Sequence, residues 1–273
     1  LLDGEELVGA KQNRILNTSV LLPAKAKTKF PVSCVEQGRW RHTSQEFSSG
    51  SYSPARLRAR KSHDVSRNLV AAREARSDQG AVWDEVASSV HGLAACSPTM
   101  AMHDAVEQRR EWLGAYVEAL QYPRGARGVV AAINGRFVAL DLLDKPATLE
   151  RIWPRLLMGY AMDAIASREA DEKASPRVFS AKGASALLEH VGQVRCQPCP
   201  SVGLGEDWRF EAEDVLGQAL VAEGACIHLS AFPNEQLRRE SGPLHGIQPP
   251  SRRRQSHRPP PPERSSSTGG IDS

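Results

Sequence analysis

The sequence is poor in aromatic residues, at 5% of 273, so its core must rest mainly on Leu, Val, Ile and Ala. Cysteine is too scattered for a disulfide framework. There are five, an odd number, at Cys34, Cys96, Cys196, Cys199 and Cys226. A reducing, cytoplasmic setting is the simpler context for such usage. No run is long and apolar enough to span a bilayer, and no signal peptide is visible. Internal repeats are missing, and so is any catalytic motif of known mechanism. The chain opens on Leu rather than Met, directly on apolar residues, which reads as a truncation inside a strand.

What is present is an ordinary globular composition, 40% hydrophobic and 25% charged. The formal charge of +3 is concentrated in residues 56–76 (RLRARKSHDVSRNLVAAREAR) and 251–258 (SRRRQSHR). Basic stretches can attract nucleic acid through phosphate contacts, but their ordinary reading is a solvated surface. Residues 234–273 hold a PPPP run, an RRR cluster and SSSTGGIDS. So few apolar side chains cannot offset the ordering entropy, and this tail is expected to be disordered.

Residues 1–40 read as β structure. Leu1 and Leu2 run into Asp3-Gly4, a favoured turn dipeptide, and ILNTSVLL (15–22) is rich in strand formers. From Phe30 to Glu36, period-two alternation puts Cys34 and Glu36 on one face. Residues 41–55 are Ser- and Gly-rich and read as a loop. Arg56–Arg76 is helix-prone, with a thin apolar stripe of Val65, Leu69 and Ala72. Ser77 or Asp78 caps the next helix. Ser97-Pro98 opens another, running to about residue 121. Asn134-Gly135 between two apolar runs signals a hairpin over 129–143, pairing Ile133 with Arg136, Ala131 with Val138 and Val129 with Leu140. Asp141 inside that hairpin needs a partner or a place at an edge, because a lone buried carboxylate is costly. Thr148 begins a long apolar-striped helix to about Arg168, with Pro154 in conflict. After a polar linker, EADEKASPR, come a short helix (179–191) and a turn-rich CQPCPSVGLG. Strands follow at 208–213, 219–222 and 225–232. The whole predicts an α+β fold: one antiparallel sheet packed against several helices, as a single domain over 1–233.

Chemistry is suggested mainly in the opening forty residues. Cys34, Glu36 and Arg39 could combine a thiol nucleophile, an acid or base and a cation. Glu5, Glu6, Lys11, Gln12 and Asn13 form a cluster of donors and acceptors suited to a sugar or nucleotide, or to a divalent metal. The reading takes Glu6, Cys34 and Glu36 as candidate catalytic residues, and Lys11, Asn13 and Arg39 as candidate ligand-binding ones. A solvated turn and a strand-end ion pair are the plainer explanations. The Cys196/Cys199 pair lacks a second close pair for zinc, although Cys226 and His228 could complete it. Ser97, His103 and Asp104 lie close together, but a helix cap accounts for Ser97. No cofactor is indicated.

The opening, LLDGEELVGAKQNRILNTSV followed by PVSCVEQGRW, resembles the ARG and rhodanese-phosphatase-superfamily-associated protein domain family, a mainly bacterial group. ARG stands for ADP-ribosylglycohydrolase. SDQGAVWDEV, SPTMAMHD, GVVAAINGRFVALDLLD, TLERIWPRLLMGYAMDA, VGLGEDWRFE and HLSAFP continue the resemblance over about residues 1–233. The family is named for the enzymes it accompanies, and the resemblance carries over no catalytic residue. It implies a role around NAD-derived or ADP-ribose compounds: an enzyme or sensor for an ADP-ribose-like ligand, or a non-catalytic scaffold for partner enzymes. A nucleic-acid binder working through the basic segments is the weaker third reading.

Overall fold

The computed structural model describes residues 1–72, 74–171 and 178–234. The tail from 235 onward and the centre of the polar linker lie outside them. The described residues fold as α+β. Strands β1 (Glu5–Gly9), β2 (Arg14–Leu16), β3 (Val32–Cys34) and β4 (Phe47–Tyr52) form an antiparallel sheet in the order β3-β2-β1-β4. Strands β5 (Gly128–Ile133), β6 (Arg136–Leu143), β7 (Cys196–Pro200), β8 (Glu206–Glu211), β9 (Val215–Ala222) and β10 (Ala225–Pro233) form another, in the order β5-β6-β10-β9-β8-β7. The sequence reading put these strands into one sheet. There are two: the opening strands pair only with one another and with β4, while β10 pairs with β6.

Two strands lie where turns or loops were expected. In β4 the serines supply backbone rather than apolar side chains, and they pair with β1 through Leu7–Ser49 and Val8–Ser48. Gly50 lets that backbone pass close to Glu6, since a Cβ there would sit 2.5 Å from its carboxylate. In β7, Cys196–Pro200 pairs fully with β8 despite two prolines, which an edge strand tolerates. The Asn134-Gly135 hairpin forms with both turn residues at positive φ, 52° and 72°. A bulge between Ala131 and Ala132 then moves its register by one, so Ala131 faces Ala139 and Val130 faces Leu140. Asp3-Gly4 precedes the first strand rather than closing a hairpin.

The helices are α1 (Ala55–Ala72), α2 (Gln79–Gly92), α3 (Met102–Gln108), α4 (Arg110–Ala119), α5 (Pro146–Asp171) and α6 (Ala181–Gln193). Asp78 caps α2, accepting from the N–H groups of Gly80 and Ala81. The helix expected from Ser97 starts later and is broken. Ser97 Oγ instead accepts from Ala101 N–H at 2.7 Å and donates to Asp104 at 2.6 Å. At Arg109 the backbone leaves helical geometry, and its guanidinium donates to the Leu93 carbonyl at the end of α2. Helix α5 runs through Pro154 without interruption. Its apolar stripe, from Leu149 and Ile152 to Tyr160 and Ala161, is buried along its length, which offsets the lost backbone bond. One side of α5 packs with α2, α3 and α4 around Ile15, Val35 and Leu57, and another packs on the large sheet around Ala139, Leu216 and Phe232. Helix α6 covers the opposite face of that sheet, with Val191 against Leu140, Phe210 and Ala231.

Asp163 of α5 ties this centre to α1, accepting from Ala55 N–H at 2.6 Å. Burial pushes its pKa up to about 7, although the helix N-terminus pulls the other way. A carboxyl raised in the folded state adds stability below its unfolded value near 3.8, and that contribution fades as pH rises through about 7. Asp163→Asn keeps an acceptor for Ala55. It is expected to match wild type at pH 4 and to gain about 1–2 kcal/mol at pH 8 in urea denaturation. Equal stability at both pH values would mean that Asp163 is not held neutral.

Candidate functional site

The structure brings some of the sequence-indicated residues together and separates others. Glu36, Arg39 and Asn13 meet in one buried clasp. Arg39 holds Glu36 through Nε at 2.7 Å and Nη2 at 2.6 Å. Its remaining donors go to the carbonyls of Gly9, Ala10 and Arg41, to Thr43 and to Asn13 Oδ1. Glu36 also accepts from Asn13 N–H and Thr99 Oγ. Burial opposes the Glu36 charge, but bonding from Arg39 and Asn13 overrides it and lowers its pKa. Every Arg39 donor is used, so the clasp pins the β1–β2 turn to the chain after β3 and leaves nothing aimed at a ligand. Cys34 is buried, and its thiol donates to the Glu36 carbonyl. Glu6 lies apart. Its Oε2 accepts from Ser51 and faces His103 Nδ1 at 3.4 Å, while Oε1 is buried without a partner. Lys11 is exposed.

A larger constellation sits between the two sheets, on residues the sequence reading passed over. Arg58 and Lys61 project from α1 and are fully buried. Arg58 grips Asp141 of β6 with two bonds, at 2.9 and 2.6 Å, and reaches Asp3 at 3.3 Å. Its guanidinium also lies over the Tyr52 and Phe232 rings. Lys61 donates to Asp3 and to the Leu16 carbonyl. Burial drives the Lys61 amine down to about 8 against the pull of Asp3. For Asp3 and Asp141, burial acts to raise the pKa, but the adjacent cations win and hold both carboxyls low. Asp141 accepts in addition from Tyr160 and lies 3.2 Å from His228 Nε2. Ser19 Oγ is 2.7 Å from His228 Nδ1. Ser19, His228 and Asp141 thus form a serine–histidine–aspartate chain. All three are buried, and Ser19 Oγ already accepts from Asp3 N–H, so the serine has no open approach for a substrate carbonyl.

From Asp141 a polar row crosses the large sheet. Register places Ser230 opposite Asp141, Gln218 opposite Ser230, Arg209 opposite Gln218 and Gln197 opposite Arg209. Directly paired residues share a face. Along α1 a second row runs the same way, with Arg58, Ser62 and Ser66 at intervals of four. At one end the rows join in the Arg58–Asp141 pair. At the other they open into a surface cleft of about 780 Å³, whose lining includes Ser66, Arg67, Arg195, Gln197, Arg209 and Glu211. Between these ends several buried polar atoms have no hydrogen-bond partner: Ser62 Oγ, Ser230 Oγ, Gln218 Nε2, and Arg209 Nε and Nη1. Arg209 Nη2 is engaged, donating to Asp207 at 2.6 Å and Thr18 at 2.9 Å. Each unpaired buried group carries a penalty of about 1–3 kcal/mol, so five such atoms on four residues of the two facing rows are an unusual concentration.

A protein-family model describing the ARG and rhodanese-phosphatase-superfamily-associated protein domain matches residues 1–232. The chain belongs to that family. No curated protein and no solved structure matches it. The match spans both sheets and all the described helices, so the clasp, the polar rows and the cleft all lie within the family domain. Among the described residues no helix is long and apolar enough to cross a membrane. No group of three or more His, Cys, Asp and Glu among them could hold a metal ion. Cys226 and His228 are separated by a bulge in β10, and His228 is committed to Ser19 and Asp141.

Sequence reasoning found Asp141 and its need of a partner but not the partner. Arg58 and Lys61 sat in a stretch read as a solvated basic helix. One signal could have exposed them. The pattern Arg58, Ser62, Val65, Leu69 follows helical spacing, so a charge continues the apolar stripe.

Proposed function

We propose that this domain binds a polar small molecule of the ADP-ribose or NAD-derived class, in the cleft between α1 and the β7–β8 edge. The observation that carries the reading is the row of unpartnered buried polar atoms from Ser230 to Arg209, opening at its Arg209 end into the cleft. A ligand rich in phosphate oxygens offers the Arg209 end of that row the acceptors it lacks. The volume suits a nucleotide-sized molecule. The family's name, which links the domain to ADP-ribosylglycohydrolases and to the rhodanese-phosphatase superfamily, supports the choice of ligand class. The site lies on the large sheet, away from the opening clasp.

Thermal unfolding of the full chain with ADP-ribose, NAD or AMP tests the proposal. A ligand at a hundredfold excess over its Kd stabilises by about 2.7 kcal/mol, which for a domain of this size raises Tm by roughly 5–10 °C. Gln197→Ala, at a lining position of the cleft that bears no charge, is expected to remove part of that rise. A flat response to every nucleotide would replace this reading with that of an interaction domain for partner enzymes.

A further inference from the structure

We infer that the mouth of the cleft is a phosphoryl-binding site, in which Arg67, Arg195 and the unused Nε and Nη1 donors of Arg209 hold a phosphate or pyrophosphate group. The inference rests on the proposed function for the place of the ligand, and adds which chemical group is gripped and by what.

Three elements bring the arginines to one cleft. Arg67 comes from α1, Arg195 from the residue before β7, and Arg209 from β8. Their states differ in a way that suits anion capture. Arg209 is only 2% exposed and is anchored through Nη2 by Asp207 and Thr18. That anchorage fixes the plane of its guanidinium and leaves Nε and Nη1 buried without a partner. The two lie on different sides of the guanidinium, so each offers an N–H to a separate acceptor oxygen. Arg67 and Arg195 are exposed, and no ion pair or hydrogen bond engages either of them among the described residues. Their charges are therefore available to a ligand. Asp207 balances Arg209 from behind, and Glu211 is the acidic residue of the lining. The local balance is then positive by about one charge (three arginines against Asp207 and Glu211). Glu211 beside the anion site is a natural acceptor for sugar hydroxyls, whereas its charge discourages an anion from spreading over the whole cleft.

A surface cluster of arginines alone would be a weak sign, because solvated basic patches are common. Here the cluster converges on a buried guanidinium with unused donors, a group whose desolvation is uncompensated until an acceptor arrives. Phosphoryl oxygens fit better than a carboxylate because three arginines can each find an oxygen around one tetrahedral centre or across a pyrophosphate bridge.

Calorimetric titration of the full chain with inorganic pyrophosphate, and separately with ADP-ribose, tests this. The comparison variant is Arg67→Ala combined with Arg195→Ala, both exposed positions whose loss leaves the fold intact. Pyrophosphate should bind wild type, and the double variant should bind it at least tenfold more weakly, with a shallower dependence on salt. No pyrophosphate binding to wild type would overturn the inference, as would equal binding to both proteins. Tight ADP-ribose binding that is unchanged in the double variant would also overturn it, while leaving the proposed function standing. Pyrophosphate binding that is lost in the double variant, with ADP-ribose no tighter than pyrophosphate, would support the phosphoryl site and remove the ADP-ribose reading.

Discussion

Replacing Arg58 with Met is expected to destabilise the domain by about 3–5 kcal/mol, a large part of the 5–15 kcal/mol that holds a typical domain together. The substitution preserves most of the aliphatic volume over Tyr52 and Phe232 but strips Asp141 of its two strongest bonds and Asp3 of one. Both carboxylates then sit fully buried, Asp3 with Lys61 and Asp141 with only Tyr160 and His228. Chemical denaturation should show a lower midpoint with little change in slope. Combining Arg58→Met with Asp141→Leu removes the stranded charge and should recover part of the loss, giving a coupling of 1–3 kcal/mol in a double-mutant cycle. A single variant within about 1 kcal/mol of wild type would mean the pair is solvated, and that α1 does not carry its charges into the interior.

Asp141→Asn is expected to be nearly as damaging at neutral pH, by about 3 kcal/mol, and to change the response to acid. In the folded protein the Asp141 pKa is depressed. Burial opposes this, but the Arg58 charge and the bonds from His228 and Arg58 prevail. A depressed carboxyl contributes stability that is fully present above its unfolded value, near 3.8, and is lost as pH falls toward the folded value. Asp3 behaves in the same sense. Wild type should therefore weaken steadily below about pH 4, and Asp141→Asn should show a shallower decline over the same interval. Parallel acid limbs for the two proteins would show that Asp141 is not the carboxylate whose protonation drives acid unfolding.

The fold was legible wherever a local rule dominated. The Asn134-Gly135 turn, the Asp78 cap and the apolar stripe of α5 each need only neighbouring residues, and each formed. The same holds for the α+β class, read from runs of strand and helix formers. Reading failed where partners were remote. Phe47–Tyr52 became a strand because β1 offered it an edge, and serine-rich sequence shows no alternation to announce that. Cys196–Pro200 became a strand because an edge position forgives proline. The hairpin register slipped by one at a bulge that no dipeptide encodes.

Among the site residues, Glu36 and Arg39 of one expected cluster meet Asn13 of the other in a single clasp, and their closeness is mutual satisfaction. Cys34 sits beside the clasp with its thiol on the Glu36 carbonyl, whereas Glu6 and Lys11 lie elsewhere. The polar rows and the arginine cleft were not visible at all, because Asp3, Arg58, Asp141, Arg209 and His228 are scattered across almost the whole described chain.

By itself the sequence settled which stretches could be helix or strand, that Asp141 demanded compensation, and which family the chain resembles. All of these depend on periodicity or on motifs a few residues long. Only tertiary structure decided that the opening strands form their own sheet, that α1 turns two cations inward, and that Arg209 keeps two donors free beside a cleft. The physical reason is that charge burial and hydrogen-bond saturation are properties of surroundings. A guanidinium in sequence is the same whether it ends in water, in a clasp with no donor to spare, or against a carboxylate eighty residues away.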